Sequence, residues 1–415
     1  MKILMLGWEF PPLYAGGVGV VCDELSKALV KKGEEITFVM PSGPSELRPE
    51  HLKMIIADKL GIDGKIKFKK ISTLLTPYVT VGEYEKQYTE AEKVIGKNTG
   101  ELYGRNLMGE VYNFAARIVE VGKKEKFDVI HAHDWTTFPA SRELKNIFKK
   151  PLVAHMHITE FDKSGGLHAN PDIYRIEREG MEAADAVIAV SNRVKQMCVD
   201  KYYISADKIS VVYNAAVSPR MSKFVVKKAS SRKRKIVLFA GRMTLQKGPD
   251  YFVEAAKIVL TKNPEVLFVM AGTGDMLPKI IEKTAACGIG DKFVFTGFYT
   301  RKEAEKLFGM ADVFVMPSVS EPFGITPLEA QRKGVPTIIS KQTGVSEVLN
   351  HCLKVNFWDV KALAGMILEV LEYRPLKEEL SNNGYKEAKG LTWEKPASEC
   401  INIYNRLAGL EVGVC

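Results

Sequence analysis

The chain has 415 residues, 46% of them apolar and 26% charged, with 59 Lys and Arg against 50 Asp and Glu for a formal net charge of +9. That length is too great for one hydrophobic core and suits two domains, while the balance of apolar and charged residues is that of a globular chain rather than a disordered one. No apolar run is long enough to span a bilayer, and Cys22, Cys198, Cys287, Cys352, Cys400 and Cys415 stand far apart with no Cys-x-x-Cys pair. This spacing argues against a zinc ribbon or a disulfide framework and fits a reducing, cytoplasmic compartment.

Residues 3–6 form a continuous apolar run closed by Gly7, as a strand buried on both faces should. The run is too short for a signal peptide. Apolar residues at helical spacing (Val21, Leu25, Ala28, Leu29) predict a helix over 18–31 that Gly33 stops, and 36–40 predicts the next strand. The segment 45–127 is less regular and is expected to decorate the first domain with helices. Strands over 129–133 and 152–157 follow, each ending in polar residues at what would be the carboxyl edge of a parallel sheet. The basic run from Lys227 through Lys235 carries no aromatic residues and reads as a solvated linker, so a nucleic-acid partner is not expected. A second alternation begins after it. Strands are predicted over 236–240, 266–271, 293–296, 313–316 and 337–340, with helices over 249–260 and around Glu329. The last segment, from about residue 393 to 410, reads as a helix.

Two βα series predict an α/β chain of two doubly wound, Rossmann-like parallel-sheet domains facing a cleft. The expected boundaries are 1–217 for an acceptor-side domain, 218–393 for a nucleotide-binding domain, and 394–415 for a helical tail returning to the first domain.

Four stretches carry chemistry. Gly16-Gly17 lies where a loop enters the first helix, so backbone N–H groups can approach a phosphate. A dinucleotide fingerprint is absent, because the third glycine is missing and the second strand ends in Met40-Pro41 rather than an acidic residue. Two His-x-His pairs, His131/His133 and His155/His157, end consecutive strands, and alternate strand residues share a face. They can be read as metal chelators with Asp134 or Asp162, or as core histidines of which one per pair faces the cleft; the second reading is preferred. Asp134-Trp135 adds a carboxylate and an aromatic ring suited to a sugar. Arg242 and Lys247 follow the strand over 236–240 and could clamp a diphosphate. In 317–330, Pro327 suits the first turn of a helix that begins near residues 324–326, whose amides could meet a phosphate. Glu321 precedes that helix and Glu329 lies on it.

Glu321-Pro322-Phe323-Gly324 through Glu329 resembles the Glu-x7-Glu signature of retaining GT-B glycosyltransferases, the family 4 and glycogen/starch synthase group. Gly16-Gly17, His133-Asp134-Trp135, His157, Arg242 and Lys247 match the same group, so the likeness covers nearly the whole chain. It implies that the second domain holds a nucleotide-diphosphate sugar. Arg242 and Lys247 would bind the diphosphate, Glu321 the transferred sugar, the amides of Gly324, Ile325 and Thr326 the phosphate and sugar, and Glu329 the ribose. Gly17 would approach the distal phosphate, His157 the sugar near its 6-position, and Asp134 with Trp135 the acceptor. The implied reaction moves a hexosyl group, with glucosyl the leading expectation, to a hydroxyl acceptor with retention at the anomeric carbon. The leaving diphosphate helps deprotonate the acceptor while the two cations stabilise developing charge.

The sequence has no Asp-x-Asp, the usual metal–diphosphate handle of the other glycosyltransferase fold, so no cofactor and no metal are expected. Two departures bear on the substrate. Tyr14 stands where glycogen and starch synthases carry lysine, and Tyr213-Asn214-Ala215-Ala216-Val217 stands where the family has Asn-Gly-Val/Ile-Asp, so its glycine and aspartate are missing. Glucan elongation of the glycogen-synthase type, a metal-dependent hydrolase and a non-catalytic nucleotide-sugar binder remain the alternatives. Nucleobase, sugar, acceptor, oligomeric state and contact of the basic first domain with a membrane stay open.

Overall fold

The computed structural model describes residues 1–11, 17–43, 47–59, 107–166, 168–216 and 234–410. Two sheets dominate it, and every strand pairing in both is parallel. The first contains β1 (Lys2–Leu6), β2 (Glu35–Met40), β3 (Lys53–Ile56), β4 (Val129–His133), β5 (Leu152–Met156), β6 (Ala186–Ala189) and β7 (Ile209–Val211), in the order β3-β2-β1-β4-β5-β6-β7. The second contains β8 (Ile236–Ala240), β9 (Leu267–Ala271), β10 (Phe293–Gly297), β11 (Val313–Met316), β12 (Thr337–Ser340) and β13 (Leu353–Val355), in the order β10-β9-β8-β11-β12-β13. Each sheet therefore reverses its winding next to its own first strand. That reversal opens a crevice at the carboxyl ends of β1 and β4, and another at those of β8 and β11.

The central strands are apolar throughout because both faces are covered. On one face of the first sheet Ile3, Met5, Val129, Val153 and Ile188 pack with Val21, Leu25 and Leu29 of the helix Gly17–Lys31. The other face, with Leu4, Leu6, Ile130 and Leu152, meets the helices Leu107–Lys124 and Phe138–Phe148. That second cluster continues through the floor of the cleft into Phe314, Met316, Phe323 and Leu328 of the other domain. The far face of the second sheet has its own core, built on Val237, Phe239, Phe252, Phe268 and Ile367.

The expected strands over 129–133, 236–240, 313–316 and 337–340 have the observed bounds. The segment 45–127, read as helical, also contributes β3, paired along β2 at residues 53–56. Its residues 60–106 lie outside those described, as does the expected junction at 217/218. β6, β7 and β13 were hidden by their brevity, at most four residues each, and β6 also by the helical apolar spacing on either side of it. Among the described residues no helix is long and apolar enough to cross a membrane.

The helix Glu394–Leu407 lies against the helix Gly17–Lys31 in the first domain, and Trp393, Ala397, Cys400, Ile403 and Tyr404 all sit in that core. Tyr404 is 1% exposed and its hydroxyl shares a 2.6 Å hydrogen bond with His131 Nδ1. Removing this ring leaves a cavity and an unpaired imidazole nitrogen. Tyr404→Ala is expected to lower unfolding free energy by about 3–5 kcal/mol, read from the urea midpoint at constant slope, whereas a change under ~1 kcal/mol would place the tail outside the core.

Candidate active site

The glycines on the second-domain side let three loops pack against one another. A Cβ on Gly272, which follows β9, would lie 2.0 Å from the Gly241 carbonyl oxygen, so the turn after β8 can take its course only over a glycine. Arg242 and Lys247 stand on that turn, which closes in a short 3-10 segment, Leu245–Lys247, before the helix Pro249–Lys262. Facing it is the loop after β11, whose Val319 N–H donates to the Gln246 carbonyl at 2.9 Å. This contact brings Lys247 Nζ into an ion pair with the Glu321 carboxylate, their side chains 19% and 9% exposed. Gly324 has φ +92°, a left-handed conformation in which a Cβ would press 3.0 Å from Glu321 Cγ. The helix Thr326–Gln331 follows with Pro327 in its first turn, and half-buried Glu329 lies on it. Burial, and then the charge of Glu329, push the Tyr299 hydroxyl pKa up.

On the first-domain side the four strand-end histidines form a block beneath the helix Gly17–Lys31. His131 Nε2 shares a 3.1 Å hydrogen bond with His155 Nδ1, and His133 Nδ1 a 2.7 Å bond with His157 Nε2. The two bonded pairs stack on each other, His131 on His133 with centroids 4.4 Å apart and His155 on His157 at 4.1 Å. Burial drives the pKa of His131 and His157 down to about 3, and those of His133 and His155 down as well, helped by repulsion from their imidazole neighbours. One nitrogen each of His131, His133 and His155 falls within 4.8 Å of the others. The stacking works against chelation, because ring nitrogens bind metals in the ring plane and stacked planes do not converge. The His-x-His pairs thus lend little to a hydrolase.

Asp134 and Trp135 differ from what their sequence suggested. Asp134 is fully buried with φ +59°, and its Oδ1 accepts the His157 N–H at 2.7 Å, so it fixes the backbone at His157. Trp135 is 0% exposed, with the Lys163 ammonium 5.7 Å from its ring centre; it is a core residue, not a displayed platform for an acceptor. Among the described residues, no atom beyond its own helix backbone and its chain neighbours lies within 4 Å of where a Cβ on Gly17 would stand. Gly16 and Tyr14 lie outside the described residues. Ala215 and Ala216 are buried, and the Ala216 N–H donates to the Leu391 carbonyl at 3.2 Å, where the chain leaves the first domain and later returns.

The contacts that join the two sides were not foreseen. Ser191 Oγ donates to the Pro322 carbonyl at 2.6 Å, and Ser320 Oγ donates to Asp162 Oδ1 at 2.7 Å while accepting from Arg193 Nη2 at 2.9 Å. Glu347 accepts from the backbone N–H groups of Asn192 (2.8 Å) and Arg193 (2.9 Å) at the start of the helix Asn192–Tyr202. Ser191 preceding that helix was a visible capping signal. Its partners more than 130 residues away left no trace in local sequence.

Two parallel-sheet domains with paired switch-point crevices define the GT-B fold. Residues 15–216 match glycosyltransferase family 4, and 221–387 match the glycosyl transferases group 1 family. An uncharacterised glycosyltransferase of Bacillus subtilis is 30% identical over 68% of this chain and 79% of its own length. One from Methanocaldococcus jannaschii is 29% identical over 97% of this chain and 98% of its own. A solved structure of Anabaena HepE in complex with UDP-glucose superposes with a TM-score of 0.68 at 16% identity, covering 97% of this chain and 99% of that one. The chain belongs to the group 1, family 4 glycosyltransferases, and is an enzyme that takes a sugar from a nucleotide-sugar donor to an acceptor.

The histidine block makes a pH prediction whose sign follows from burial. Folded pKa values lie below the unfolded value near 6.5, so unfolding takes up protons as pH falls. Stability from these groups is complete above about pH 6.5 and is lost between there and pH 3, at about 1.4 kcal/mol per pH unit for each histidine. The urea midpoint should therefore drop steeply from pH 7.5 to 5.5, and His131→Asn should flatten the slope. An equal midpoint at both pH values would contradict neutral burial.

Proposed function

We propose that this chain is a retaining hexosyltransferase, glucosyl by first preference, that uses a nucleotide-diphosphate sugar without a metal ion. The observation that carries the reading is the Lys247–Glu321 pair, a cation and a carboxylate held together on two loops, with Arg242 on the same turn as Lys247. Arg242 and Lys247 supply fixed positive charge for a diphosphate, the role a metal fills elsewhere, and stabilise it as it leaves. Glu321 takes the hydroxyls of the transferred sugar, the amides of Gly324, Ile325 and Thr326 the phosphate and sugar, and Glu329 the ribose diol. Gly17, with Gly16 preceding it in the sequence, is assigned to the distal phosphate. His157, neutral because burial holds its pKa near 3, can donate or accept a hydrogen bond to the sugar but cannot act as a cationic acid at neutral pH. The acceptor hydroxyl attacks on the face the diphosphate leaves, and its proton passes to that diphosphate. The Anabaena protein's UDP-glucose complex makes UDP-glucose the first donor to try.

Glucan elongation is the narrower reading. The His133-Asp134-Trp135 run favours it, while Tyr14 and Ala215 stand against it. The buried free thiols of Cys22, Cys198, Cys352 and Cys400 fit a reducing cytoplasm.

A thermal-shift screen with UDP-, ADP- and GDP-sugars should single out one donor, since a ligand that binds only the folded state raises Tm. With that donor, Glu321→Ala and Lys247→Ala should each reduce transfer at least about a hundredfold, and EDTA should leave the rate unchanged. Substantial transfer in both variants would remove the assigned roles, and loss of activity in EDTA restored by a divalent ion would remove metal independence.

A further inference from the structure

Glu321 is gripped on both flanks by the opposite domain. Its own backbone belongs to the second domain, where its N–H donates to the Gln342 carbonyl at 3.1 Å and its carbonyl accepts from the Gly344 N–H at 2.9 Å. The residues either side of it reach across the cleft. Ser320, 0% exposed, has its hydroxyl between the Asp162 carboxylate and the Arg193 guanidinium, and the Pro322 carbonyl takes the Ser191 hydroxyl. Asp162 and Ser191 are set by bonds within the first domain, and the Arg193 backbone by Glu347 of the second. Asp162 Oδ2 accepts from the Thr159 N–H (3.1 Å) and hydroxyl (2.8 Å), Ser191 Oγ accepts from the Val194 N–H, and the Arg193 N–H is bound by Glu347.

We propose that Asp162, Arg193 and Ser191 are positioning residues of the transfer reaction, holding Ser320 and Pro322 so that Glu321 meets the sugar only when the two domains are together. This rests on the role given to Glu321 above. The Lys247–Glu321 ion pair lies wholly within the second domain and survives an opening of the cleft; the bonds to Ser320 and Pro322 do not. Ser320 is therefore a sensor of domain contact placed one residue from the reacting sugar. Asp162 lies in the short helix Glu160–Lys163, which begins shortly after His157, so the segment that carries His157 also holds Ser320. Both sugar-side groups are thereby tied to one closure. Both hydrogen bonds to Ser320 involve an ionised partner and are screened from water, which places them among the stronger kind.

A double-mutant cycle tests this on the full chain, using UDP-glucose, ADP-glucose and GDP-glucose and following whichever is turned over. Ser320→Ala and Arg193→Ala should each lower kcat roughly ten- to a hundredfold, the cost of a small misplacement of a reacting group, with KM within about threefold of the parent. Arg193→Lys, which keeps a donor, should recover part of the loss. In a Glu321→Gln background, adding Ser320→Ala should change residual turnover by less than about twofold, because a residue that acts through Glu321 has nothing further to remove. Equal fold-losses in the two backgrounds, or parental kcat in both Ser320→Ala and Arg193→Ala, would overturn the proposal while leaving Glu321 in its role. Parental turnover by Glu321→Gln alone would instead overturn the reading of Glu321, and this proposal with it. Should Ser320→Ala fail to fold, Arg193→Ala carries the same cycle, since only its side chain reaches Ser320 and its backbone contact with Glu347 is unaltered.

Discussion

The ion pair between Lys247 and Glu321 is the interaction on which the cleft depends. Two opposite charges, both mostly shielded from water, stabilise each other only while each has the other or a substitute. Removing either leaves a poorly solvated charge, so any ligand that displaces one must supply its replacement. In the proposed reaction a diphosphate would do this for Lys247, and the hydroxyls of a sugar for Glu321. The pair thus keeps both groups oriented in the free enzyme and, in the proposed reaction, exchanges one set of partners for another without exposing either charge.

What holds the pair is backbone. The loops after β8 and β11 touch because Gly272 lets the Gly241 carbonyl come within the space a side chain would need, and because Val319 bonds to the Gln246 carbonyl. Across the cleft the histidine block is the first domain's counterpart. It is dry, neutral and stacked, so it offers hydrogen-bonding nitrogens without charge. Its lower end is closed by Tyr404 from the returning tail, and its upper end is His157, 6% exposed, with its backbone fixed by Asp134. A carboxyl-terminal helix distant in sequence therefore supports the first-domain edge of the active site.

Much of this was legible in the chain. The apolar runs over 129–133 and 313–316, and the helix stop at Gly33, are local signals that tertiary structure did not override. Lys247 and Glu321 could be named because each sits beside a glycine turn following a strand. Their contact with each other could not be, since it arises from strands β8 and β11 lying side by side though 77 residues apart at their starts. Trp135 misled for a physical reason. An aromatic residue next to an aspartate reads as a sugar platform, but with φ +59° Asp134 turns the chain so that the ring enters the core. Ser191, Arg193 and Ser320 were not singled out, and Asp162 was weighed only as a metal ligand, because nothing in the local sequence shows that the opposite domain covers them.

The division between the two sides has a consequence for specificity. In the proposed site the second-domain groups are two cations, the amides of residues 324–326 and two glutamates, chemistry suited to the phosphates and vicinal hydroxyls common to nucleotide sugars. Such groups can stay fixed while substrates change. The first domain is where this chain departs from the glycogen-synthase pattern, at Tyr14 and at Tyr213-Asn214-Ala215-Ala216. At the second of these the cause is visible. The alanines are buried where the chain crosses between domains, and the Tyr213 hydroxyl bonds to Glu347 at 2.9 Å, beside the grip on Ser320. A segment that elsewhere carries glycine and aspartate has here been given to domain contact. Any part this segment plays in acceptor choice would therefore be coupled to domain contact through Glu347.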